Sequence, residues 1–424
     1  MQPKSFALLI TALMLLADLP ARAQKPVPTA NGTGYSITAG SVSVSVAASR
    51  GARIRSLKYQ GTELLYQADS TGSPGSMGST FWPSPQAHWT STCRNANNNG
   101  CWPPNANIDG QSTSYTGGLT ADSGVTYAGT KDNNTGVRLR KTFWGNVADS
   151  SILIRYHVVN ADTIKRAYAG WEVTRITTGG LTFWAKSTED TIRGNGTSGT
   201  ALINMIKDTL GVKWHKYDST VSLSGGTPKF WDGTSEGWYA HVDKSRLLYI
   251  KKFQDAPASK KAPVNENQIE FYTNNNTRSL IEMELQSAFD SIAVGDSMTW
   301  DVRWYVRRVP DSIPITSNAA LLAFTRQIVN GGPVSVREQV RAAAGVFDRM
   351  AVAGDRVGLT LDKASTVSLS LLDARGKTAQ SLHAGGLQKG YHAFRISALP
   401  QGVYWLVLKG PAGEVLETRM LSRL

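Results

Sequence analysis

Two glutamates in one apolar segment are the first candidates for chemistry. Glu282 and Glu284 lie in 280-LIEMELQ-286, which has the composition of a strand. Because alternate side chains of a strand point to the same face, the two carboxyls lie side by side. Neighbouring negative charges can raise the pKa of one carboxyl, as a general base working near neutral pH requires. The alternative is a pair of solvated carboxylates on an exposed face.

A second segment concentrates rigid aromatic surface. The stretch 79-STFWPSPQAHWTSTCRNANNNGCWPP-104 contains Trp82, Trp89 and Trp102 with four prolines, and it has neither helical nor strand periodicity. Trp and Pro present flat, stiff apolar faces at low entropic cost, which suits a binding surface. The same tryptophans could instead fill the space beneath a loop, and the sequence leaves both interpretations open.

The N-terminus predicts export. Lys4 precedes the apolar run 6-FALLITALMLLA-17, and the small-residue site 21-ARA-23 follows it. This pattern is typical of a secretory signal peptide, so the mature chain is expected to begin near Gln24. The run is shorter than the ~20 residues that span a bilayer. We therefore expect no transmembrane segment in the mature chain.

Export changes how the cysteines are interpreted. Cys93 and Cys101 are the only two in the chain, and an oxidising compartment favours a disulfide between them. A metal pair is the weaker alternative, because two thiols without a nearby His make an incomplete zinc site. No phosphate loop or nucleophile elbow is present, so the sequence implies neither a metal nor another cofactor.

The composition predicts an all-β protein, because 40 glycines and 17 prolines accompany strands with period-two alternation. Helical patterns are confined to 318–330 and 337–350. The predicted strands are 42–46, 53–59, 152–159, 247–253, 269–273, 280–286, 299–309, 357–361, 367–373 and 403–410. The predicted organisation is a signal peptide at 1–23, a large antiparallel sandwich at 24–314, a linker with helical segments at 315–344 and a small β-sandwich at 345–424.

The chain is basic, with a formal net charge of +13 at pH 7. Such a surplus favours an acidic polysaccharide or an anionic cell surface as partner, or it simply aids solubility. The positive residues are scattered and no nucleic-acid-binding motif is present, which argues against nucleic acid.

Three linked motifs mark the C-terminal fifth of the chain, namely 367-VSLSLLDARGKTAQS-381, 398-ALPQGVYWLVLKG-410 and 418-TRMLSRL-424. Together they resemble the C-terminal sorting domain of the type IX secretion system. The resemblance implies that this secretion machinery is a partner and that the protein is secreted or attached to the outer surface.

A second ordered set of motifs covers roughly 35–310. Its members are 50-RGARIRSLKYQGTELLY-66, 79-STFWPSPQAHW-89 with 102-WPP-104, 171-WEVTRI-176, 229-KFWDGTSEGWYAHV-242, 280-LIEMELQS-287 and 295-GDSMTWDVRWYV-306. They resemble the galactose-mutarotase-like, or aldose 1-epimerase-like, superfamily and an uncharacterised secreted bacterial family within it. The resemblance implies a supersandwich of two large antiparallel sheets with a sugar site on the concave side.

In that architecture the aromatic loop becomes the platform of a saccharide groove. A pyranose packs its C–H face on an indole, so Trp82, Trp89 and Trp102 would contact the sugar. Gln86 and His88 would orient it. The resemblance also places the base of aldose 1-epimerases, a Glu in a late strand, at Glu282, with Glu284 as its neighbour.

The chain departs from the epimerases at the acid. Their His lies in a strand that matches 168-YAGWEVTRI-176, where Trp171 and Glu172 stand instead. Trp171, Glu172 and Arg175 are expected to line the groove, and Arg175 with Arg303 could hold a carboxylate or hydroxyl pair. Arginines on sheet faces also cap the edge of a core, which is the structural alternative.

The leading interpretation is a secreted carbohydrate-binding protein that acts on extracellular poly- or oligosaccharide. The first alternative is a carbohydrate-active enzyme with Glu282 as general base, either epimerase-like or a lyase or hydrolase on acidic glycans. The second is a structural protein of the cell envelope. The sequence leaves the question of turnover open.

Overall fold

The computed structural model describes most of the chain. The described residues are 26–67, 77–89, 104, 106–109, 113–187, 191–257, 260, 266–274, 279–330, 347–353, 355–361, 363–373, 377–411 and 415–423. The predicted signal peptide at 1–23 and the predicted site residues Cys93, Cys101 and Trp102 lie outside these ranges.

The predicted all-β architecture of two large antiparallel sheets is confirmed. The first, sheet A, has twelve strands, ten of them in one ladder. In spatial order these are β1 (Thr29–Ala30), β2 (Gly34–Ala39), β3 (Val42–Ala47), β4 (Arg53–Tyr59), β6 (Ser79–Ser84), β11 (Arg166–Thr177), β20 (Leu280–Gln286), β19 (Ile269–Thr273), β16 (Lys229–Asp232) and β13 (Arg193–Gly194). Two short strands flank it, β5 (Thr62–Glu63) beside β4 and β21 (Asp290–Ile292) beside β11.

The second, sheet C, has ten strands. In spatial order they are β14 (Ile206–Thr209), β15 (Val212–His215), β12 (Leu181–Ala185), β17 (Trp238–Val242), β18 (Leu247–Phe253), β22 (Ser297–Arg308), β10 (Ser151–Asn160), β9 (Val137–Asn146), β8 (Val125–Ala128) and β7 (Thr116–Leu119). Sheets A and C together are called the large sandwich below.

The core of the large sandwich follows from the period-two alternation of its strands. On β10 the alternate residues Ile152, Ile154, Tyr156 and Val158 are all buried, as predicted. From sheet A, Phe81 stacks on Tyr156 with the ring centroids 4.0 Å apart. The inward faces of the two sheets therefore meet in one hydrophobic core.

Four helices accompany the sheets in the described residues: α1 (Ser49–Ala52), α2 (Ala106–Asp109), α3 (Gly196–Ile203) and α4 (Ala319–Val329). The helix predicted over 318–330 is confirmed as α4, and the Asn318 side chain caps it by accepting from the Leu321 amide at 2.9 Å. None of the described helices is long and apolar enough to cross a membrane.

Helix α4 packs on the outer face of sheet C, where Leu321 and Phe324 join a second core with Phe183 and Trp238. The other predicted helix, 337–350, is wrong at its end, because Phe347–Met350 belong to a strand. Here β-sheet pairing with 356–361 outweighs the local helical pattern.

The C-terminal residues form the predicted small β-sandwich. One sheet has three strands, β23 (Phe347–Ala353), β24 (Arg356–Leu361) and β27 (Gly390–Arg395). The other has four, β26 (Thr378–Leu387), β25 (Ser365–Leu372), β28 (Gly402–Lys409) and β29 (Val415–Arg423). Leu359, Leu369 and Leu406 lie in a hydrophobic core that belongs to this sandwich alone.

Candidate functional site

The strand register of sheet A gathers aromatic and ionisable side chains on its outer face. Trp171 pairs with Trp82 on one side and Gln286 on the other, and Arg175 pairs with Glu282. Residues that pair directly across a ladder share a face, and so do alternate residues along a strand. The outward set comprises Trp82, Trp171, Arg175, Lys229, Trp231, Glu270, Tyr272, Glu282, Glu284 and Gln286. We call these ten residues the outer-face cluster.

Lys229 is the cation at the centre of the cluster. Its ammonium group contacts the Glu270 carboxylate directly and lies 3.4 Å from Glu284 Oε1. It also lies 5.3 Å from the centroid of the Trp171 ring. Burial disfavours its charge, but Glu270 and Glu284 more than offset this, so the pKa of Lys229 is raised and the side chain stays protonated.

Glu284 is held in its neutral form. Burial raises the pKa of its carboxyl well above the ordinary value, and the charge of Glu270 raises it further. Glu282 is a smaller cause of this shift, so the neighbour named from the sequence is not the main one. Trp171 Nε1 donates to Glu284 Oε2 at 2.7 Å. Its other oxygen, Oε1, faces the Lys229 ammonium group at 3.4 Å.

Glu282 is the carboxylate of the cluster that reaches solvent. Arg175 Nε donates to its Oε1 at 2.7 Å, and the Glu282 side chain is 15% exposed while that of Arg175 is 4% exposed. The guanidinium group of Arg175 in turn lies over the Trp82 ring. Glu282 is thus an oriented carboxyl, paired with an arginine, at the rim of the cluster.

A hydrogen-bonded chain extends the cluster toward the aromatic segment. Gln286 Nε2 donates to Glu270 Oε2 at 3.0 Å and to Glu266 Oε2 at 2.8 Å. Glu266 Oε1 accepts from the backbone N–H of Gln86 at 2.7 Å. The side-chain Oε1 of Gln86 accepts from Lys229 Nζ at 3.4 Å. Gln86 is therefore in contact with the same central cation as the carboxylates.

The structure brings together six of the residues proposed from the sequence: Trp82, Gln86, Trp171, Arg175, Glu282 and Glu284. The alternative of two solvated carboxylates is wrong for Glu284, which is fully buried. Trp82 is also buried, packs edge-on against Trp171 at 5.2 Å and donates to Asp109. It supports the cluster from within rather than forming an open platform.

Two further predictions are corrected by burial. Trp89 is fully buried and donates from Nε1 to the Pro83 carbonyl at 2.8 Å, so it fills space beneath its loop. Glu172 points to the opposite face from Trp171 because neighbouring strand residues alternate. It lies in the inter-sheet core, 3.0 Å from Lys251 Nζ, and accepts from Tyr156 at 2.6 Å.

His88 contacts Tyr168, with its Nε2 3.2 Å from the tyrosine hydroxyl. Burial and the nearby Arg166 lower the pKa of His88. The Tyr168 hydroxyl also donates to the Thr135 carbonyl, on the inward side of β11. His88 is therefore placed beside Tyr168 and not beside Glu282.

Sequence analysis missed Lys229, Trp231, Glu270 and Tyr272. A partial signal was present, since Glu270 lies between the apolar Ile269 and Phe271, but 229-KFWD does not alternate polar and apolar residues. Their position depends on β16 pairing with β19 and β19 with β20, which places Glu270 opposite Glu284. That pairing order cannot be read from local alternation.

Comparisons with known proteins give one family match. A family model described as "Domain of unknown function (DUF4380)" matches residues 40–307, from just before β3 to within β22. No match is found among curated proteins.

Solved structures of similar strand arrangement include a galactose mutarotase-like protein from Lactobacillus casei, 11% identical with a TM-score of 0.44, which covers 66% of this chain and 100% of its own. Another is a galactose mutarotase related enzyme from Lactobacillus acidophilus, 9% identical with a TM-score of 0.43, which covers 65% of this chain and 98% of its own. With sequence identities and TM-scores this low, these structures carry no argument about chemistry, which has to be inferred from the residues of this chain.

Replacing Glu284 with Gln should make folding less sensitive to pH. Because the folded pKa of Glu284 lies above the unfolded one, its stabilising contribution is present at low pH and is lost as the pH rises through the folded value. Gln cannot ionise, so the Tm of Glu284→Gln minus the Tm of the parent protein should become more positive from about pH 5 to about pH 8. Tryptophan fluorescence can follow the large sandwich, since Trp405 is the only tryptophan after residue 304.

The control for this experiment is Asp311→Asn, which removes a carboxylate whose side chain is 82% exposed. Its Tm difference from the parent protein should not change with pH. If the Tm difference between Glu284→Gln and the parent protein is also independent of pH, Glu284 is ionised in the folded protein.

Proposed function

The chain belongs to the DUF4380 family, and from that premise we propose that the outer face of sheet A binds a neutral carbohydrate. The observation that carries the proposal is the half-buried Trp231, whose ring lies on the outer face beside the carboxyls of the cluster. Its indole N–H has no acceptor among the described residues and is closed to solvent, so a sugar hydroxyl could accept from it only after a shift of the ring.

The composition of the cluster supports a neutral sugar. Glu282, Tyr272, Trp231 and Gln86 are half-buried, so they combine ring faces with hydrogen-bonding groups at the solvent side. Aromatic faces with a few oriented polar groups are the usual lining of small-ligand sites. Three carboxyls, Glu270, Glu282 and Glu284, stand against three cations, Lys229, Arg175 and Arg193, so this face has no clear excess of either charge to select a charged ligand.

A second candidate function is acid–base turnover of the bound sugar. It is favoured by the contrast between Glu284, whose carboxyl holds a proton, and Glu282, whose carboxylate is ion-paired with Arg175. Paired carboxyls in unequal protonation states are the pattern of an acid and a base. Alternate strand positions set their Cα atoms ~7 Å apart, on one face.

In such turnover Glu282 accepts the proton of the anomeric hydroxyl. The proton that the ring oxygen gains comes from Glu284, which is buried and would have to be uncovered by a rearrangement of the cluster. The bond between C1 and the ring oxygen breaks and a carbonyl forms at C1. The hydroxyl group formed from the ring oxygen then attacks the other face of the C1 carbonyl. This step reverses both proton transfers, restores both carboxyls and yields the other anomer. No net oxidant, reductant or cofactor is needed.

The same proposal extends to location. The signal-peptide pattern at 1–23 and the three sorting-type motifs after residue 366 support export and a role on extracellular poly- or oligosaccharide. The C-terminal sandwich is then the part recognised by the secretion machinery.

Trp231→Ala should weaken binding of D-galactose or a neutral oligosaccharide about tenfold, because a stacked ring and one hydrogen bond are lost. Isothermal titration calorimetry measures this directly. Trp144→Ala is the matched control, since Trp144 is also half-buried and also lies under an arginine, but on sheet C. Equal affinity of both variants, or no binding of any neutral sugar by the parent protein, would refute the site.

Glu282→Gln should slow anomer interconversion at least about 100-fold, the contribution typical of a general base. Polarimetry or NMR on freshly dissolved D-galactose gives the rate. Glu236→Gln is the control, because Glu236 is another half-buried carboxylate paired with an arginine, Arg326, away from the cluster. An unchanged rate in Glu282→Gln would remove Glu282 from the mechanism, and no rate above the uncatalysed reaction would leave a binding protein.

Export predicts a mature N-terminus at Gln24. Mass spectrometry of protein collected outside the cells of the natural host should find it, and removal of the final strand, 415–423, should retain the protein inside the envelope. Protein that is released with residues 1–23 intact, or equally well without 415–423, would contradict the proposal.

A further inference from the structure

The outer face of sheet C is divided into two parts. Helix α4 covers the part formed by β12, β17 and β18, where Phe183, Trp238 and Ile250 are fully buried. Across β9, β10 and β22 most of the outward side chains are half-buried or exposed instead, although Thr142, Ser151 and Tyr305 are buried. These outward positions carry charge, so this part of the sheet is built for solvent or for a polar ligand.

The register arranges these side chains in rows. Leu153 lies between Trp144 and Arg303, Arg155 lies between Thr142 and Asp301, and His157 lies between Arg140 and Thr299. Each row therefore contributes one arginine, from a different strand. One strand spacing and two residues of rise separate successive arginine positions by roughly 8 Å. We call Arg303, Arg155 and Arg140 with Trp144 the arginine strip.

A groove of about 500 Å³ opens at one end of the strip, lined by Asp122, Trp144, Leu153, Arg155 and Arg303. Trp144 Nε1 donates to Asp122 Oδ2 at 2.9 Å, which fixes the indole plane. The guanidinium group of Arg155 lies 5.8 Å from the Trp144 ring centroid. The groove thus places an oriented aromatic face beside two arginines.

Two of the three arginines of the strip lie beside carboxylates, and the third does not. Arg155 makes a two-point ion pair with Asp301, with both contacts at 2.7 Å. Arg303 donates to Ser151 and lies 3.7 Å from Asp149. The exposed Arg140 lies against the His157 ring, which is 3.1 Å away.

His157 contributes no charge of its own at neutral pH. Burial lowers its pKa to about 4, and the flanking Arg140 and Arg155 act in the same direction, against the opposing charge of Asp301. Positive charge along the strip therefore comes from the arginines, and Arg140 has a neutral partner. A ligand with acidic groups at intervals would match this arrangement better than a single anion.

We propose that the arginine strip and its groove form a second ligand site that binds an acidic polysaccharide. Uronate carboxylates would contact Arg140 and Arg303, and the C–H face of one sugar ring would pack on Trp144. The site lies on sheet C, so it is independent of the neutral-sugar site proposed on sheet A.

The test is calorimetric titration of the full mature chain with oligogalacturonate and with its fully methyl-esterified form, which has the same backbone without the charge. The parent protein should bind the acid form and not the ester. Arg140→Gln/Arg303→Gln should bind at least about tenfold more weakly. Arg308→Gln/Arg395→Gln removes the same charge elsewhere and should stay within about twofold at fixed salt.

Tryptophan variants separate this site from the one on sheet A. Trp144→Ala should weaken oligogalacturonate binding about tenfold, whereas Trp231→Ala should leave it unchanged. The reverse result would place the acidic sugar on sheet A and overturn the inference.

Two other polyanions decide whether the site is specific for a glycan. Inorganic polyphosphate and vesicles containing phosphatidylserine should bind more weakly than oligogalacturonate, with no effect of Trp144→Ala. Binding to either that equals or exceeds the glycan would show a general anion-binding face or a membrane contact and would overturn the proposal. Absence of oligogalacturonate binding would overturn it as well.

Discussion

The alternation of side chains along β11 is the constraint on which both the core and the site depend. Trp171 and Arg175 point outward to the cluster, while Glu172 and Thr174 point inward. All four are buried, so this central strand has no solvent face. A slip of one residue would exchange the two sets, sending Arg175 into the hydrophobic core and Glu172 away from Lys251. The pairing of β11 with β6 and β20 fixes the register against such a slip.

Charge compensation is the second constraint. Lys229 is one buried cation between two buried carboxyls, Glu270 and Glu284. If both carboxyls ionised, one negative charge would lie unbalanced in a dry site, which is strongly unfavourable. The cluster avoids this by keeping Glu284 protonated. Burial thus favours the protonated form of Glu284 beside Glu282, which is paired with Arg175, and the acid–base proposal rests on this difference between the two carboxyls.

Local patterns predicted the strands well. The strands 53–59, 247–253, 269–273 and 280–286 were predicted with the bounds that the structure shows, because alternation and flanking turn residues are properties of contiguous sequence. The final turn of the helical window 337–350 was not, since β23 is stabilised by pairing with β24. Helix α4 was predicted, but its place on sheet C was not.

The candidate site was predictable only where a motif carried it. Glu282, Glu284, Trp171, Arg175 and Trp82 were found from short stretches that form β20, β11 and β6. The central cation was not found, because its position depends on strands that are distant in sequence.

The predictions that Glu172 and Trp89 line the site failed for a different reason. Proximity in sequence was taken as proximity in the site, although alternation sends Glu172 into the core and packing buries Trp89. Period-two alternation alone, applied strictly, would have excluded Glu172.

The two outer faces of the large sandwich differ in their charged groups. On sheet A three carboxyls stand against Lys229, Arg175 and Arg193, whereas on sheet C Arg140 lies against the His157 ring and has no carboxylate partner among the described residues. The net charge of +13 therefore describes neither face. Because the faces lie on opposite sides of one core, each can bind a ligand of its own. A polymer held by its carboxylates on sheet C would leave the outer face of sheet A open to a separate, neutral sugar. In that arrangement sheet C would hold the polymer and sheet A would bind and act on the neutral sugar. A substitution on one sheet could then change one of these activities without changing the other.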